Sequence, residues 1–257
     1  MSVSPEVNVK APAATINRSA LEGRTCVVTG ASSGIGRAIA LALASASATV
    51  CAVARRRRGL EATAGRATGA GRIALYEADL IVDEQIAGLA EALQAREGGV
   101  DVLIHSAGTI SLGDLETASV RDFDKQYAAN VRAPYLLTQA LLPALRARKG
   151  QIVFINSTVG LIARANVGQF AATQHALKAI ADSLREEVNR HGVRIVTVYA
   201  GRTATPRQAK IHAIEGKPYP AERLMQPEDV ASVVVNALAL PRSAELTDVR
   251  VRPMLKH

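Results

Sequence analysis

Apolar and polar positions alternate along the chain in a way that predicts strands and helices in turn. Short apolar runs rich in β-branched residues predict six strands, at 25–29, 49–54, 72–76, 100–104, 151–155 and 193–198. Segments with a helical pattern lie between and after them, at 35–44, 60–69, 84–96, 123–148 and 170–190. Most strands are apolar on both faces, which is typical of a parallel sheet covered by helices on both sides. We therefore predict one doubly wound α/β domain.

The two ends of this pattern differ from its middle. Residues 1–20 show no period, which predicts a flexible N-terminal tail, and residues 21–257 then form the domain. Residues 206–226 interrupt the alternation late in the chain and contain three prolines and a glycine. We expect this segment to be a lid over a substrate site.

Composition narrows the class of protein. The chain has 257 residues, 48% of them apolar and 21% charged, which excludes a mainly disordered chain. No apolar run approaches the ~18 residues of a membrane span, and the first residues lack the apolar stretch of a secretory signal, so we predict a soluble protein with no membrane partner. Cys26 and Cys51 lie in apolar runs, as buried thiols of a reducing cytoplasm do, and no metal site is predicted.

The charge is strongly positive, with 31 Lys and Arg against 23 Asp and Glu and a formal net charge of +8. Such an excess fits nucleic acid, a membrane surface, an anionic small molecule or simply an arginine-rich surface. Aromatic residues make up only 3% of the chain, which disfavours sites built on stacking, and no nucleic-acid partner is predicted. Four of the charges stand together from Arg55 to Arg58, and their meaning depends on their place in the fold.

A glycine-rich segment follows the first strand and opens the first helix. In Thr29-Gly30-Ala-Ser-Ser-Gly34-Ile-Gly36, the first glycine permits a tight turn, the second lets backbone approach a phosphate, and the third lets the helix pack on the sheet. The helix N-terminus then faces the pyrophosphate of a dinucleotide. The predicted contacts in this segment are Gly30, Ser32, Ser33, Gly34, Ile35 and Gly36.

The end of the second strand indicates which dinucleotide binds. An NAD site needs a carboxylate about 20 residues after the glycines, to accept hydrogen bonds from the adenosine ribose. This chain has Ala54, Arg55 and Arg56 there, and guanidinium groups match a 2′-phosphate. We predict NADP(H) as the cofactor, with Arg55 the main contact and Arg56 a second candidate. Arg57 and Arg58 are assigned to the solvated surface.

Further motifs resemble those of the short-chain dehydrogenase/reductase family over roughly residues 21–252. Besides the glycine segment, they are Asp79-Leu80 after the third strand, Ser106-Ala107-Gly108 after the fourth, Asn130 in a long helix, Ser157 ending the fifth strand, and Gly201-Arg-Thr-Ala-Thr205 after the sixth. Ala200 replaces the family's proline, and Ser106 replaces its usual asparagine. The resemblance implies a Rossmann-type domain with a mainly parallel sheet of about seven strands.

The resemblance also implies roles for these residues. Asp79 and Leu80 would hold the adenine, and Thr203 and Thr205 would contact the nicotinamide end and the phosphates. The remaining predicted cofactor contacts are Ser106, Ala107, Gly108, Gln174 and Gly201. Family members pair through the helices predicted at 123–148 and 170–190, which implies a homodimer or homotetramer.

The catalytic end departs from the family pattern. Family members carry a Tyr thirteen positions after the catalytic Ser and a Lys four positions further on. Counted from Ser157, these positions hold Phe170 and Gln174, although the surrounding Phe170-Ala-Ala-Thr-Gln174-His-Ala-Leu-Lys178 otherwise resembles the family's helix. The predicted catalytic set is therefore Ser157, Asn130, Phe170 and Gln174, in which two positions have lost the usual chemistry.

These replacements remove the usual source of a proton. The family's Tyr protonates the alkoxide formed from a ketone, and its Lys draws the pKa of that phenol down from ~10. Phe170 has no proton to give, whereas neutral Gln174 can still hydrogen-bond a ribose. Ordinary carbonyl reduction is therefore expected to be slower by roughly 10² to 10⁴.

Other titratable residues near the predicted site are assigned to packing or to the surface. They are His105, Tyr135, His175, Lys178 and Tyr199. Arg164 and Arg202 are expected to flank the substrate cleft, where they either bind an anionic group or are surface arginines.

Three functions stay open for this sequence. The leading hypothesis is an NADP(H)-dependent oxidoreductase with an atypical site, acting on a small molecule that needs no enzyme-derived proton. An iminium ion is one such substrate, and an activated alkene whose enolate is stabilised by Ser157 is another. The alternatives are a catalytically impaired protein that binds NADPH and acts through a partner, and non-redox chemistry such as cyclisation or dehydration in the same pocket.

Overall fold

A seven-stranded parallel sheet forms the centre of the molecule in the computed structural model, which describes residues 18–255. The strands lie in the order β3-β2-β1-β4-β5-β6-β7. They are β1 (Thr25–Thr29), β2 (Thr49–Ala54), β3 (Arg72–Glu77), β4 (Val102–His105), β5 (Gln151–Ser157), β6 (Arg194–Ala200) and β7 (Asp248–Val251). Because all pairs are parallel, the carboxyl ends of the strands meet at one edge of the sheet.

Helices cover both faces of this sheet. Within the described residues they are α1 (Gly34–Ser45), α2 (Arg57–Ala64), α3 (Asp83–Glu97), α4 (Val120–Tyr127), α5 (Ala133–Ala147), α6 (Gly168–Val188), α7 (Pro206–Ile214) and α8 (Pro227–Leu238). One apolar cluster, which includes Ile39 and Leu43, packs α1 and α8 against the sheet. A second cluster, which includes Phe154 and Leu177, packs α3, α5 and α6 against the other face. Two buried layers explain why most strands are apolar on both sides.

The predicted doubly wound α/β fold is confirmed, and the six predicted strands are all present. The pattern did not locate β7. This strand lies at the edge of the sheet, where Val249 and Val251 are only partly buried and Asp248 and Arg250 are exposed. An edge strand with one weakly buried face lacks the continuous apolar run that marks the inner strands.

Two predicted helices differ from the observed ones. The helix predicted at 60–69 is α2, which begins earlier because the Arg57 backbone N–H donates to Glu77 Oε2 at 3.0 Å and its guanidinium pairs with Glu61. The long helix predicted at 123–148 consists of α4, a π-helical turn at Ala128–Arg132 and α5. Such turns are rare and are often found at functional sites.

Most of the tail predicted at 1–20 lies outside the described residues, and Arg18–Leu21 form a 3₁₀ helix in which Leu21 is buried.

Cys26 and Cys51 are buried as predicted, and burial raises the pKa of the Cys51 thiol to about 12. No helix in residues 18–255 has both the length and the apolar character needed to cross a membrane.

Candidate active site

A cleft of about 1930 Å³ runs along the carboxyl edge of the sheet. Residues at or just beyond the carboxyl end of every strand from β1 to β7 contribute to its lining. All the residues that the sequence assigned to cofactor binding or catalysis line this one cleft. The structure therefore brings the predicted site together, and the individual roles stay predictions.

The glycine turn between β1 and α1 forms one wall of the cleft. Gly30 has φ +70°, and a Cβ on it would lie 2.9 Å from backbone atoms of Ala107. A Cβ on Gly36 would lie 2.5 Å from the Gly30 carbonyl oxygen, so the start of the helix packs directly on the turn. Only glycine fits at either position, and the turn leaves the N-terminus of α1 facing the cleft, where an anion is favoured.

Thr29 ties this turn to the loop after β4. Its Oγ1 accepts hydrogen bonds from the backbone N–H groups of Ser106 at 3.0 Å and Ala107 at 3.1 Å, and it donates to the Ile104 carbonyl at 3.2 Å. The two walls of the cofactor end are thus held in register by one buried hydroxyl. The sequence predicts Thr29 only as the last residue of a strand and the first of the glycine motif, and does not indicate this bridging role.

The arginine run after β2 divides between the cleft and the outer surface. Arg55, Arg56 and Arg58 line the cleft, are exposed, and have guanidinium groups with no ion-pair or hydrogen-bond partner among the described residues. Arg57 pairs with Glu61 at 3.0 Å and does not line the cleft. Arg58, which the sequence assigned with Arg57 to the surface, therefore also faces the predicted 2′-phosphate end.

The other predicted cofactor residues lie on loops that follow β3 and β6. The Asp79 backbone N–H donates to Gln85 Oε1 at 2.7 Å, and its carboxylate accepts from the Ile81 N–H at 3.3 Å, which fixes the turn beside Leu80. Thr205 caps α7, because its Oγ1 accepts from the Gln208 N–H at 3.1 Å. These loops place polar groups at both ends of the cleft.

Asn130 is buried in the π-helical turn and braces the loop after β4. Its Oδ1 accepts from the Thr109 N–H at 2.7 Å, and its Nδ2 donates to the Thr109 carbonyl at 2.9 Å and to Thr173 Oγ1 at 3.1 Å. A Cβ on Gly108 would lie 2.9 Å from the Asn130 amide oxygen, so the two residues pack closely. The Asn130 side chain therefore positions both the loop after β4 and α6.

Ser157, Phe170 and Gln174 line the catalytic end of the cleft. Ser157 Oγ accepts from the Val159 N–H at 3.4 Å, and no described residue accepts its hydroxyl proton. The helix carrying Phe170 and Gln174 is held to β5 by Asn156, whose Nδ2 donates to the Gln174 carbonyl at 3.0 Å. Gln174 is only 5% exposed, yet no described residue hydrogen-bonds its side-chain amide.

The neighbouring titratable residues are either paired with other residues or deeply buried. Burial lowers the pKa of His105 to about 3, its Nε2 lies 2.8 Å from Thr138 Oγ1, and its ring stacks on Phe154. Lys178 forms an ion pair with Asp182 on the same helix. The buried Tyr199 phenol has a pKa raised above its usual value, mainly by loss of solvent. None of these groups stands ready to replace the missing acid.

Positively charged side chains dominate the lining of the cleft. Counted over the described residues, twelve lysines and arginines line it, against two acidic residues, Asp79 and Glu215. Arg202 Nη2 donates to both Glu215 oxygens, at 2.7 and 2.9 Å, and Arg207 Nη2 donates across the cleft to the Gly108 carbonyl at 2.5 Å. No group of three or more His, Cys, Asp or Glu side chains in this part of the chain is arranged to hold a metal ion.

Sequence reasoning missed five of the arginines that line the cleft. They are Arg58, Arg207, Arg223, Arg250 and Arg252. Arg250 and Arg252 come from β7 and its end, an element that the pattern did not locate, and Arg207 and Arg223 lie in the segment predicted as a lid. The one indication of the β7 pair in the sequence is that Arg250 and Arg252 alternate with valines, as residues on one face of a strand do.

The fold and the cleft define a dinucleotide-binding α/β protein, and comparison identifies its family. The family model described as short chain dehydrogenase matches residues 24–216, and the chain belongs to this family. Dehydrogenase/reductase SDR family member 11 of Bos taurus is 30% identical over 244 residues, which cover 90% of this chain and 96% of that protein.

Two further similarities extend this result. Glycine betaine reductase ATRR of Emericella nidulans is 30% identical over 245 residues, 93% of this chain, and the match spans only 19% of that longer protein. Among solved structures, a metagenomic short-chain oxidoreductase in complex with NADP is 32% identical with a TM-score of 0.79, covering 92% of this chain and 100% of that one. The predicted family and its Rossmann-type fold are therefore confirmed.

Proposed function

We propose that this protein is an NADP(H)-dependent oxidoreductase that reduces a small molecule needing no proton from the enzyme. The observation that carries the proposal is the position of Phe170 and Gln174. They line the cleft with Ser157 where the family carries its acid and base, while the cofactor end keeps the features that a dinucleotide requires.

The residues of the cleft fit NADP(H). The turn has no room for a Cβ at Gly30 or Gly36, so it brings the N-terminus of α1 to the cleft, where a pyrophosphate is favoured. Arg55 and Arg56 stand where an NAD site would have a carboxylate, and their guanidinium groups are unpaired within residues 18–255. The similar structure that contains NADP supports the same cofactor.

The chemistry follows from what the catalytic end can and cannot do. Bound NADPH supplies a hydride to the substrate carbon. An iminium carbon accepts it without a proton, because the electron pair of the C=N bond moves to nitrogen and neutralises its charge. For an activated alkene, the Ser157 hydroxyl donates a hydrogen bond to the enolate oxygen that forms as the hydride is added, since no described residue takes that proton, and water then protonates the enolate carbon. Phe170 adds an aromatic ring, a surface that attracts cations.

A comparison of substrates, together with a variant that restores the family's Tyr and Lys, tests the proposed reaction. NADPH oxidation is measured by nicotinamide absorbance with a cyclic imine, an enone and a ketone, and we expect the ketone to be the slowest. In the double variant Phe170→Tyr/Gln174→Lys, we expect ketone reduction to rise by roughly 10² to 10⁴, because a phenol and an ammonium supply the proton route.

The NADPH dissociation constant and thermal unfolding of the double variant are its controls. Retained binding and folding with no gain in ketone reduction would contradict the proposed site. Absence of turnover by the unmodified protein with every compound tested would contradict the reductase proposal itself.

A second candidate is favoured by the isolated amide of Gln174. This amide is neutral, lines the cleft and has no hydrogen-bond partner among the described residues, so it can bind a ribose without enabling turnover. The protein would then hold NADPH as a sensing or structural ligand and act through a partner. Tight NADPH binding without oxidation, together with a co-purifying protein, distinguishes this candidate. Product formation without a change in nicotinamide absorbance would instead indicate non-redox chemistry.

We further propose a homodimer or homotetramer paired through α4, α5 and α6, and a lid formed by residues 206–226. The lid proposal rests on Arg207, whose guanidinium crosses the cleft to Gly108. The buried thiols Cys26 and Cys51 fit a reducing compartment, and we propose the cytoplasm.

A further inference from the structure

The end of the cleft farthest from the 2′-phosphate site carries unpaired positive charge. Arg164, Arg250 and Arg252 line the cleft, are exposed, and have guanidinium groups with no hydrogen-bond or ion-pair partner in the described part of the chain. Several arginines outside this cleft are paired with carboxylates, as Arg24 is with Asp101 at 2.9 Å and Arg72 with Glu97 at 2.5 Å. A cation left without a partner in a concave site raises the local concentration of anions.

The register of the sheet places two of these arginines near the catalytic serine. Ser157 of β5 pairs with Ala200 of β6, and Ala200 pairs with Val251 of β7, so the three residues share one row at the carboxyl edge. Two strand spacings of about 4.8 Å put β7 about 10 Å from β5. Arg252 follows this row directly, and a Cβ on Gly201 would lie 3.1 Å from its Cα.

The direction of Arg250 follows from the same register. Arg250 pairs with Tyr199, which pairs with Asn156, and paired residues of neighbouring strands point to the same face. Asn156 hydrogen-bonds the Gln174 carbonyl, so this face is the one that α6 covers. Val251 belongs to the apolar cluster of the opposite face. Arg250 therefore points to the side of the sheet that carries the helix of Phe170 and Gln174.

Arg250 and Arg252 are too far from the glycine turn and from Arg55 to bind the cofactor phosphates. In the strand order, β7 lies four positions from β1, whose turn receives the pyrophosphate, and five from β2, which carries Arg55. At about 4.8 Å per strand, these separations are roughly 19 and 24 Å. Of the two acidic residues in the lining, Asp79 lies on the loop after β3 and Glu215 is already paired with Arg202 and Lys217, so the guanidinium groups at β7 are available to another anion.

We propose that the substrate carries an anionic group, a carboxylate or a phosphate, held by Arg250 and Arg252 of β7 with Arg164 on the facing loop. This inference rests on the proposed function and defines its substrate class. An iminium ion alone would be repelled by the cationic lining, whereas one that also carries an anion would bind with its cation toward Phe170 and its anion toward β7. Paired guanidinium groups bind carboxylates and phosphates with charge-assisted hydrogen bonds.

Binding without turnover tests the inference separately from the reaction. Calorimetry on the NADP⁺-loaded protein compares benzoate, phenyl phosphate and benzamide, which share one ring and differ in charge. We expect both anions to bind at least about tenfold more tightly than benzamide, as hydrogen bonds to charged groups allow. The order of the two anions identifies carboxylate or phosphate as the preferred group.

The matched variants remove equal charge from different places. Arg250→Gln/Arg252→Gln should weaken benzoate and phenyl phosphate by about tenfold or more and leave benzamide and NADPH unchanged. Arg146→Gln/Arg190→Gln removes two charges from exposed sites outside the cleft and should change none of them. Equal losses in the two double variants, or benzamide binding as tightly as benzoate, would overturn the inference.

Turnover provides an independent second readout. We expect 1-pyrroline-2-carboxylate to be reduced with a higher kcat/KM than 2-methyl-1-pyrroline, and Arg250→Gln/Arg252→Gln to remove this preference mainly through KM. If neither ring is reduced but the anions still bind through β7, the proposed reaction fails and the anion site stands. If the rings are reduced equally well and anions gain no affinity, the reaction stands and the anion site fails.

Discussion

Phe170 differs from tyrosine by one hydroxyl, and Gln174 differs from lysine chiefly in its charge, yet these atoms determine whether a proton can be delivered. The backbone beneath them does not depend on either side chain. Asn156 donates to the Gln174 carbonyl at 3.0 Å, and a Cβ on Gly160 would lie 2.5 Å from the Asn156 amide oxygen. The α6 helix is therefore held by backbone and asparagine contacts and by the apolar cluster around Leu177, which explains how the chemistry can change while the fold is retained.

The choice between NADPH and NADH also depends on single residues. In Arg55→Asp we expect NADPH to bind roughly 10- to 100-fold more weakly, because a charge-assisted hydrogen bond to the 2′-phosphate is replaced by repulsion, while NADH changes little. Dissociation constants for both cofactors, from fluorescence titration, measure the effect. Arg57→Asp is the control, since Arg57 pairs with Glu61 and does not line the cleft. Equal weakening of NADPH and NADH by Arg55→Asp would contradict the assignment.

Elements differ in how much of their structure the sequence could predict. The inner strands could be predicted because both of their faces are buried, whereas the prolines of 206–226 gave no indication of a helix. Pro206 is the first residue of α7, a position where its missing N–H is no loss, and Thr205 caps the helix. A proline that interrupts the alternation is therefore compatible with a helix, and α7 accounts for nine residues of the predicted lid.

The contact between α7 and the loop after β4 yields a prediction about this element. Arg207 Nη2 donates to the Gly108 carbonyl across the cofactor end of the cleft. In Arg207→Ala we expect NADP⁺ to be released about fivefold faster, because an exposed hydrogen bond to a charged group contributes about 1 kcal/mol. Stopped-flow fluorescence measures the release rate.

A matched substitution separates this effect from a general loss of an arginine. Arg148 also donates to a glycine carbonyl, that of Gly98 at 3.1 Å, but it does not line the cleft. Arg148→Ala should therefore leave NADP⁺ release unchanged. A release rate for Arg207→Ala equal to that of the unmodified protein would show that α7 does not close the cleft.

At the scale of the whole molecule, periodicity predicts a layered fold better than it predicts the full lining of a cleft. Strand ends meet at one edge in any parallel sheet, so motifs following β1 to β6 could be placed together from the sequence alone. The arginines at β7 could not, because their place depends on an edge strand paired over a separation of about 50 residues from β6. Thr29 was likewise missed because its role lies in hydrogen bonds to another loop.

The exposed surface of α5 and α6 predicts how copies of the chain assemble. Tyr135 on α5 is 50% exposed, and α6 presents Ala172 and Ala179 on an exposed stripe at helical spacing. Small exposed residues let two helices approach closely, so a copy of the chain can pack there. We expect sedimentation velocity to show a dimer or tetramer, and Tyr135→Glu/Ala179→Arg to shift it toward monomer by placing charge in the interface. Ala95→Arg, on the exposed side of α3, should keep the assembly intact, and a monomeric unmodified protein would contradict the proposal.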